Sequence, residues 1–309
     1  TGLATVLADE SVGEEPLSMY RQAIELDRQT GRRTHLAFAL TYYADLLRIR
    51  GQLGDAAEAC SQARQVRLGI ADASGKLTTD FECAQISLDR GNVDAAAASL
   101  KRIEEQAIAA RDEFNAANAE LVIGQISMGR DHWDKAREEL SKSLQSWDAQ
   151  KEAPGIATAQ ALLALCDDAL GDGAGRDSAA AQAREQRGGI TARQEVLTLD
   201  ISLAQLQADA GQVDGAMATL RNLAVDATQR HWAGYAFEAR LAALRVRARG
   251  SDVPAIPSLR AALVANAQKA GFGWVRERAE RVAGRPARSR PLEPHGQVHR
   301  AHMLGDRSG

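Results

Sequence analysis

The side chains best suited to chemistry lack the neighbours that a reaction requires. His295, His299 and His302 could offer three imidazole ligands to a transition metal. They lie in a stretch with no predicted helix, and the sequence predicts no second shell of hydrogen-bonding groups to orient their rings. Cys166 lies on a predicted helix without a histidine, whereas a thiol nucleophile needs a base within hydrogen-bond reach. The sequence therefore favours a flexible histidine-containing segment over a metal site, and predicts neither catalysis nor a cofactor.

Two glycine-rich segments and one basic run resemble phosphate or nucleic-acid sites in composition alone. A phosphate loop needs a preceding strand and a following Lys-Ser/Thr pair, which residues 171–175 and 271–273 both lack. Arginines are frequent from 276 to 290, but no aromatic residues interleave with them after Trp274. The net charge of −3 also argues against the basic stripe that nucleic-acid binding requires. We expect no nucleic-acid partner and, because no apolar run approaches about 18 residues, no membrane partner.

Any site must therefore be built by the elements that repeat along the chain. A small residue recurs every 40 positions, at Ala44, Ala84, Gly124, Ala164 and Ala204. Seven positions after each of these stands a turn former, namely Gly51, Gly91, Asp131, Gly171 and Gly211. Periods of 20–50 residues are typical of stacked supersecondary units, and the apolar residues between Leu36 and Leu47 follow helical spacing. The sequence predicts an all-α array of hairpins, each made of an A helix, a turn and a B helix.

The same grid predicts how the hairpins begin, end and pack. Asp55 is placed to cap the first full B helix, and the glycines of 171–175 should delay the fourth B helix to about Asp177. The sixth A helix is expected to end near Gly250, and a last helix over about 273–283 should cover the apolar end of the array. Large aromatic residues such as Trp274 should fill gaps between copies. Each copy is expected to bury its faces against adjacent copies only.

The ends of the 40-residue repeat predict the domain bounds, and the cysteines predict the cellular compartment. The array covers residues 1–283, whereas 284–309 is proline- and arginine-rich and is predicted to be a disordered basic tail. Thr1 falls inside a helix of the 40-residue grid, so we expect that preceding sequence is missing. Cys60, Cys83 and Cys166 have no short paired spacing, which predicts reduced thiols and a cytoplasmic location.

The repeated columns resemble the tetratricopeptide repeat (TPR). Trp133-Asp134-Lys135-Ala136 matches its aromatic-turn-alanine element, and the segment 20–26, closing on Thr30-Gly31, looks like a B helix of its long variant. That variant, with about 40 residues per copy, occurs in bacterial maltose-regulator-type and kinase-linked signalling proteins. The resemblance covers about residues 1–283. It implies a right-handed α-solenoid of antiparallel hairpins whose A helices line a concave face.

The resemblance also implies which residues face that concave wall. Carried onto this chain, the family positions include Phe38, Thr41, Asp45, Arg48, Phe81, Gln85, Leu88, Leu121, Gln125, Met128, Gln205 and Arg240. In the sixth copy, whose A helix is taken to end near Gly250, the four positions are Phe237, Arg240, Leu244 and Arg247. Gln85, Gln125 and Gln205 share one repeated position, and an amide can both donate to and accept from a peptide backbone. The apolar residues beside them could hold an apolar anchor. The alternative is that all these residues pack between helices or face solvent.

The resemblance implies a non-enzymatic module that binds a peptide or protein on its concave face. It would be the C-terminal sensor or scaffold region of a larger bacterial signalling or transcription-regulatory protein. Thr41, Phe81 and Leu121 stand where some of these domains carry the Lys that holds a terminal carboxylate, so capture of a chain terminus by that clamp is not expected. Two alternatives remain open. One is a self-association module that forms a homodimer through an exposed terminal repeat, and the other is the regulatory part of a kinase or ATPase whose catalytic domain lies upstream.

Overall fold

A computed structural model describes residues 14–250 and 253–283 of the chain. Within these residues, fourteen α-helices and one 3-10 turn (Val253–Ala255) occur and no strand does. The helices are α1 (Glu15–Gln29), α2 (Arg33–Ile49), α3 (Leu53–Arg67), α4 (Ala73–Asp89), α5 (Val93–Ala110), α6 (Glu113–Gly129), α7 (Trp133–Gln150), α8 (Ala153–Leu170), α9 (Gly173–Arg187), α10 (Leu197–Asp209), α11 (Val213–Gln229), α12 (Ala233–Arg249), α13 (Ile256–Lys269) and α14 (Gly273–Glu280). The predicted all-α class is confirmed. The predicted tail, 284–309, and the first helix predicted around Thr1 lie outside the described residues.

Left-handed residues mark most of the turns and, apart from Gly69, are separated by multiples of 20 positions. The turns after A helices contain Gly51, Gly91, Asp131, Gly171 and Gly211, all with positive φ. The turns after B helices contain Gly31, Arg111, Lys151, His231 and Gly271, also with positive φ. In the first of the A–B turns, the amide of Gln52 donates to the carbonyl of Leu47 at 2.9 Å, which closes the helix end around the left-handed residue. The even-numbered helices are thus the A helices, the odd-numbered ones are the B helices, and the 40-residue hairpin is confirmed.

Two local predictions about helix starts are wrong. The fourth B helix, α9, begins at Gly173 and not near Asp177, because Asp172 caps it: its Oδ1 accepts from the amide of Gly175 at 2.9 Å. Asp55 is not a cap, since α3 starts after Gln52 and Asp55 falls in the first turn. A carboxylate there still stabilises the helix by facing its positive end.

The cysteine prediction is also wrong for one pair. Cys60 on α3 and Cys83 on α4 form a disulfide with their Cα atoms 5.8 Å apart, while Cys166 is a buried free thiol. Sequence spacing hid the pair because 23 residues separate cysteines that two packed helices bring together. The cysteine argument for a cytoplasmic location therefore does not hold. Across the described ranges, no helix is both long and apolar enough to cross a bilayer.

The A helices pack closely against the B helices through their small residues: a Cβ atom on Gly124 would lie 2.7 Å from Leu140 of the following B helix. Ala44 and Ala164 are fully buried, and Ala84 and Ala204 are each only 2% exposed. Small side chains at mid-helix let neighbouring helices interlock closely, which suits a stack of hairpins. Trp147 and Trp232 are buried in the array, as the sequence predicts.

The array closes on itself, so the expectation that copies pack only against adjacent copies is wrong. Phe272 shares an apolar cluster with Leu53, and Trp274 shares one with Leu88 and other residues of α4–α6. The Nη1 of Arg281 donates to the carbonyl oxygen of Gly129 at 3.3 Å across 152 positions of sequence. The curvature of the stack brings its last A helices, α12 and α14, onto its first, α2 and α4. The A helices thus face the inside of a closed turn of solenoid.

Candidate functional site

The closed turn encloses a central cavity of about 570 Å³, lined by residues of all seven A helices. This volume lies within the range of about 300–1,000 Å³ that is typical of ligand pockets. The A helices line it because each hairpin places its A helix on the inner side of the curve and its B helix on the outer side. Because residues of every A helix converge on this cavity, it is the candidate site.

Three amides at one repeated position face the cavity. Gln85 on α4, Gln125 on α6 and Gln205 on α10 all line it, 40 and then 80 positions apart. The Nε2 of Gln85 donates to Glu82 at 3.3 Å, whereas the side chains of Gln125 and Gln205 have no hydrogen bond within the described parts of the chain. Because an amide offers two donors and an acceptor, these groups can pair with the main chain of a ligand.

Apolar side chains stand beside these amides. Leu88 and Met128 line the cavity one turn beyond Gln85 and Gln125 on the same helices. Trp133 adds a large apolar surface at the start of α7, and Trp274 and Phe272 form part of the wall that closes the ring. Alternating amides and apolar surfaces suit an extended chain that places side chains in apolar recesses while its backbone meets polar groups.

The structure separates the twelve predicted site residues into two groups of six. On the cavity lining lie Arg48, Gln85, Leu88, Gln125, Met128 and Gln205. The other six are Phe38, Thr41, Asp45, Phe81, Leu121 and Arg240, which serve packing or outer contacts. Thr41 is fully buried and its hydroxyl meets that of Thr79 at 2.8 Å, while Phe81 is 7% exposed inside an apolar cluster.

The remaining members of the second group have partners of their own. Arg67 lies over the ring of Phe38 at 4.3 Å, and Leu121 packs among the side chains of α7 and α8. Asp45 accepts from Arg48 at 2.7 Å and so fixes that guanidinium at the cavity edge. Arg240 is exposed on α12, where its Nη2 donates to Thr228 at 3.0 Å.

A buried charge cluster stands where α2, α4 and α12 meet. Arg48 bridges Asp45 and Asp89, the latter at 3.2 Å. Burial, followed by the neighbouring Asp45 carboxylate, raises the pKa of Glu82 well above its usual range. Burial also raises the pKa of Tyr235 to about 12, so its hydroxyl stays neutral at physiological pH. The cluster positions Arg48 rather than offering a free acid, because its carboxylates face the guanidinium.

Sequence reasoning missed Arg245, which lines the cavity from α12. The sixth copy keeps the 40-residue grid, so Glu238, Arg245 and Ala248 face inward, one position beyond the predicted Phe237, Leu244 and Arg247. The error came from aligning on Gly250, whose φ of −89° is extended and not left-handed. Extending the 40-residue repeat from position 205 to position 245 would have identified Arg245 as the next residue of this series.

Metal binding has no candidate among the described residues, where no group of three or more His, Cys, Asp or Glu side chains is placed to hold an ion. The three histidines at 295, 299 and 302 lie outside those residues.

Solved structures that share this architecture include three with TM-scores above one half. Aspartyl phosphate phosphatase F from Bacillus subtilis has a TM-score of 0.64 at 11% identity, covering 86% of this chain and 68% of that one. A Rap protein complexed with competence and sporulation factor has a TM-score of 0.55 at 17% identity, covering 82% and 76%. BtubC (BKLC) from P. vanneervenii has a TM-score of 0.54 at 15% identity, covering 72% and 91%. The sequence matches no protein-family model and no curated protein. At such identities the likeness shows the fold alone: the described residues form a TPR-like α-solenoid.

Proposed function

We propose that this chain is a binding module that holds an extended segment of a peptide or protein partner in its central cavity. The observation that carries the proposal is the placement of Gln125 and Gln205 on the cavity lining without hydrogen-bond partners among the described residues. Because these amides make no hydrogen bond within the described residues, their donors and acceptors are available to a ligand main chain. The apolar surfaces of Leu88, Met128 and Trp133 would hold the side chains of that segment.

The comparison structures support ligand capture by this fold. One of them is a Rap protein in complex with competence and sporulation factor, so another protein of this fold binds a factor. From the resemblance to the long TPR variant we also propose that this chain serves as a sensor or scaffold region of a larger bacterial regulator. We propose no catalytic role, because the neighbour named a phosphatase is only 11% identical and that likeness concerns the fold.

Self-association through an exposed terminal repeat has less support. The C-terminal helix α14 already buries Trp274 and Val275, which are 4% and 2% exposed, against helices from the other end of the array. An apolar face that is covered within the chain is not available to a second copy. Light scattering on the purified chain separates the alternatives, since a dimer that resists dilution would favour self-association.

Selection from a displayed library of random heptapeptides tests the binding proposal. The native chain should enrich peptides that share a pattern of apolar residues. Gln125→Met/Gln205→Met keeps side-chain length but removes two amides, and it should weaken binding of the enriched peptides about tenfold or more, since each lost hydrogen bond contributes roughly 1 kcal/mol. Isothermal titration calorimetry with a single enriched peptide measures the change.

The matched control is Gln106→Met, which makes the same substitution at an exposed position of the B helix α5. It should bind the peptide as tightly as the native chain. A library that yields no enriched sequence, or a peptide that binds the double variant and native chain equally, would remove the basis of the proposal.

A further inference from the structure

Five arginine side chains line the central cavity, and four of them have carboxylate partners. Arg48 pairs with Asp89 at 3.2 Å, and Arg249 pairs with Asp209 at 2.7 Å. Arg278 is held by both carboxylate oxygens of Glu238, and Arg281 is held by Glu277. For the two more buried groups, Arg48 and Arg278, such pairing replaces the water that they lose, whereas Arg249 and Arg281 keep about half of their exposure.

Arg245 is the exception. Its guanidinium has no hydrogen bond or ion pair with any residue that the structure describes, although it stands in the same cavity. Burial, and then repulsion from the neighbouring Arg278 cation, lowers the pKa of Arg245 to about 10. The group therefore stays charged at neutral pH while protein has replaced much of its water. The carboxylates of Glu238 and Asp131 offset part of this effect from a distance, but neither bonds to the guanidinium, so its N–H donors are available to an anion that enters the cavity.

The position of Arg245 indicates which part of a ligand would meet it. It occupies the same repeated position as Gln125 and Gln205, and it follows Gln205 by 40 residues on the next A helix. A ligand main chain that bonds to Gln205 would carry its neighbouring side chains past Arg245. A guanidinium presents a planar fork of N–H donors that matches the two oxygens of a carboxylate.

We propose that Arg245 is a specificity-determining residue that binds the side-chain carboxylate of an aspartate or glutamate in the peptide held by the central cavity. This inference rests on the proposed peptide-binding function and adds a requirement for an acidic residue. Arg48, Arg249 and Arg278 do not compete for that carboxylate, because their own acidic partners occupy them.

Small blocked amino acids test the site without knowledge of the natural ligand. N-acetyl-glutamate amide carries only the side-chain carboxylate, N-acetyl-glutamine amide is its neutral isostere, and N-acetyl-alanine carries only a terminal carboxylate. Each is titrated at matched ionic strength while the ¹H–¹⁵N signal of the Arg245 Nε is followed by NMR, with the signal assigned from Arg245→Gln. The blocked glutamate should shift that signal with a dissociation constant about tenfold or more below those of the other two probes.

Two variants exclude a purely structural effect. Arg245→Gln should abolish binding of the blocked glutamate while its melting temperature stays at or above that of the native chain, because an unpaired enclosed charge is removed. Arg102→Gln makes the same substitution on the exposed face of α5 and should leave binding unchanged. A probe that binds Arg245→Gln as well as the native chain, or a shift caused by N-acetyl-alanine alone, would overturn the assignment.

Failure here can be told apart from failure of the peptide-binding proposal. If displayed heptapeptides require Gln125 and Gln205 but show no acidic preference, and blocked glutamate does not bind, the acidic subsite is wrong and peptide binding stands. If blocked glutamate binds at Arg245 and no heptapeptide is enriched, the subsite stands and the wider binding proposal fails.

Discussion

Ring closure depends on a close approach of two backbones at Gly273. A Cβ atom at this position would lie 2.4 Å from the carbonyl oxygen of Arg90 and 2.9 Å from the Cα of Gly91. Both contacts involve backbone, which cannot rotate away as a flexible side chain can. Gly273→Ala therefore requires α14 to move by about 1 Å from the turn between α4 and α5, given that carbon contacts are favourable only near 3.5 Å.

The expected destabilisation follows from the two ways in which the chain can respond. Forcing an extra methyl group into a packed interface raises the free energy of the native state by about 1–3 kcal/mol. Releasing α14 instead would expose Trp274, whose burial contributes roughly 3 kcal/mol. Either response should lower the melting temperature by roughly 3–10 °C for a domain of this size. Release of α14 would also raise the radius of gyration and weaken the binding of any ligand held in the cavity.

The sign of the change makes the experiment decisive. Gly273 is the first residue of α14, so alanine there would stabilise an array that did not close, because it restricts the unfolded chain. Gly234→Ala is the matched control: it lies near the start of α12, and its Cβ would meet Phe272 at an ordinary 3.5 Å. Thermal unfolding and small-angle X-ray scattering measure both variants. A Gly273→Ala chain that melts at or above the native temperature, with an unchanged radius of gyration, would refute the closure described above.

Two further substitutions test interior charges. Arg67→Met should lower the free energy of unfolding by about 3 kcal/mol. Arg67 is only 5% exposed, and its removal leaves the Asp72 carboxylate without the cation that neutralises it. Arg64→Met, which breaks the more exposed 2.7 Å pair with Asp80, should change it by less than about 1 kcal/mol; equal effects in urea unfolding would contradict this. Burial, and then the Glu104 carboxylate, raises the pKa of Glu120 to about 7, above the unfolded value of about 4.3. The protonated form is therefore favoured by folding, so its stabilising contribution is full below about pH 4.3 and is lost as the pH rises through 7. Glu120→Gln should thus be more stable relative to the native chain at pH 8 than at pH 5, and an equal difference at both pH values would contradict the assignment.

The 40-residue grid shows how far sequence reasoning reaches in a repeat protein. Turn residues such as Gly51 and Asp131 mark helix ends because the left-handed conformation is a local requirement of the backbone. Helix phase then places Gln85, Gln125 and Gln205 on one wall. The prediction failed where one glycine was read as a turn marker: Gly250 is extended, and the predicted positions of the sixth copy were therefore one residue too early, which hid Arg245.

The sequence by itself determined the helices, their period and their inner and outer faces, because these depend on residues within about 20 positions of one another. Only the tertiary structure decided that the array closes, that Cys60 meets Cys83, and that Arg245 stands in a cavity whose other arginines are paired. These features depend on small rotations between successive hairpins, which accumulate along the stack until α14 reaches α4. No local sequence pattern specifies the total rotation, so the central cavity forms only when the whole array is assembled.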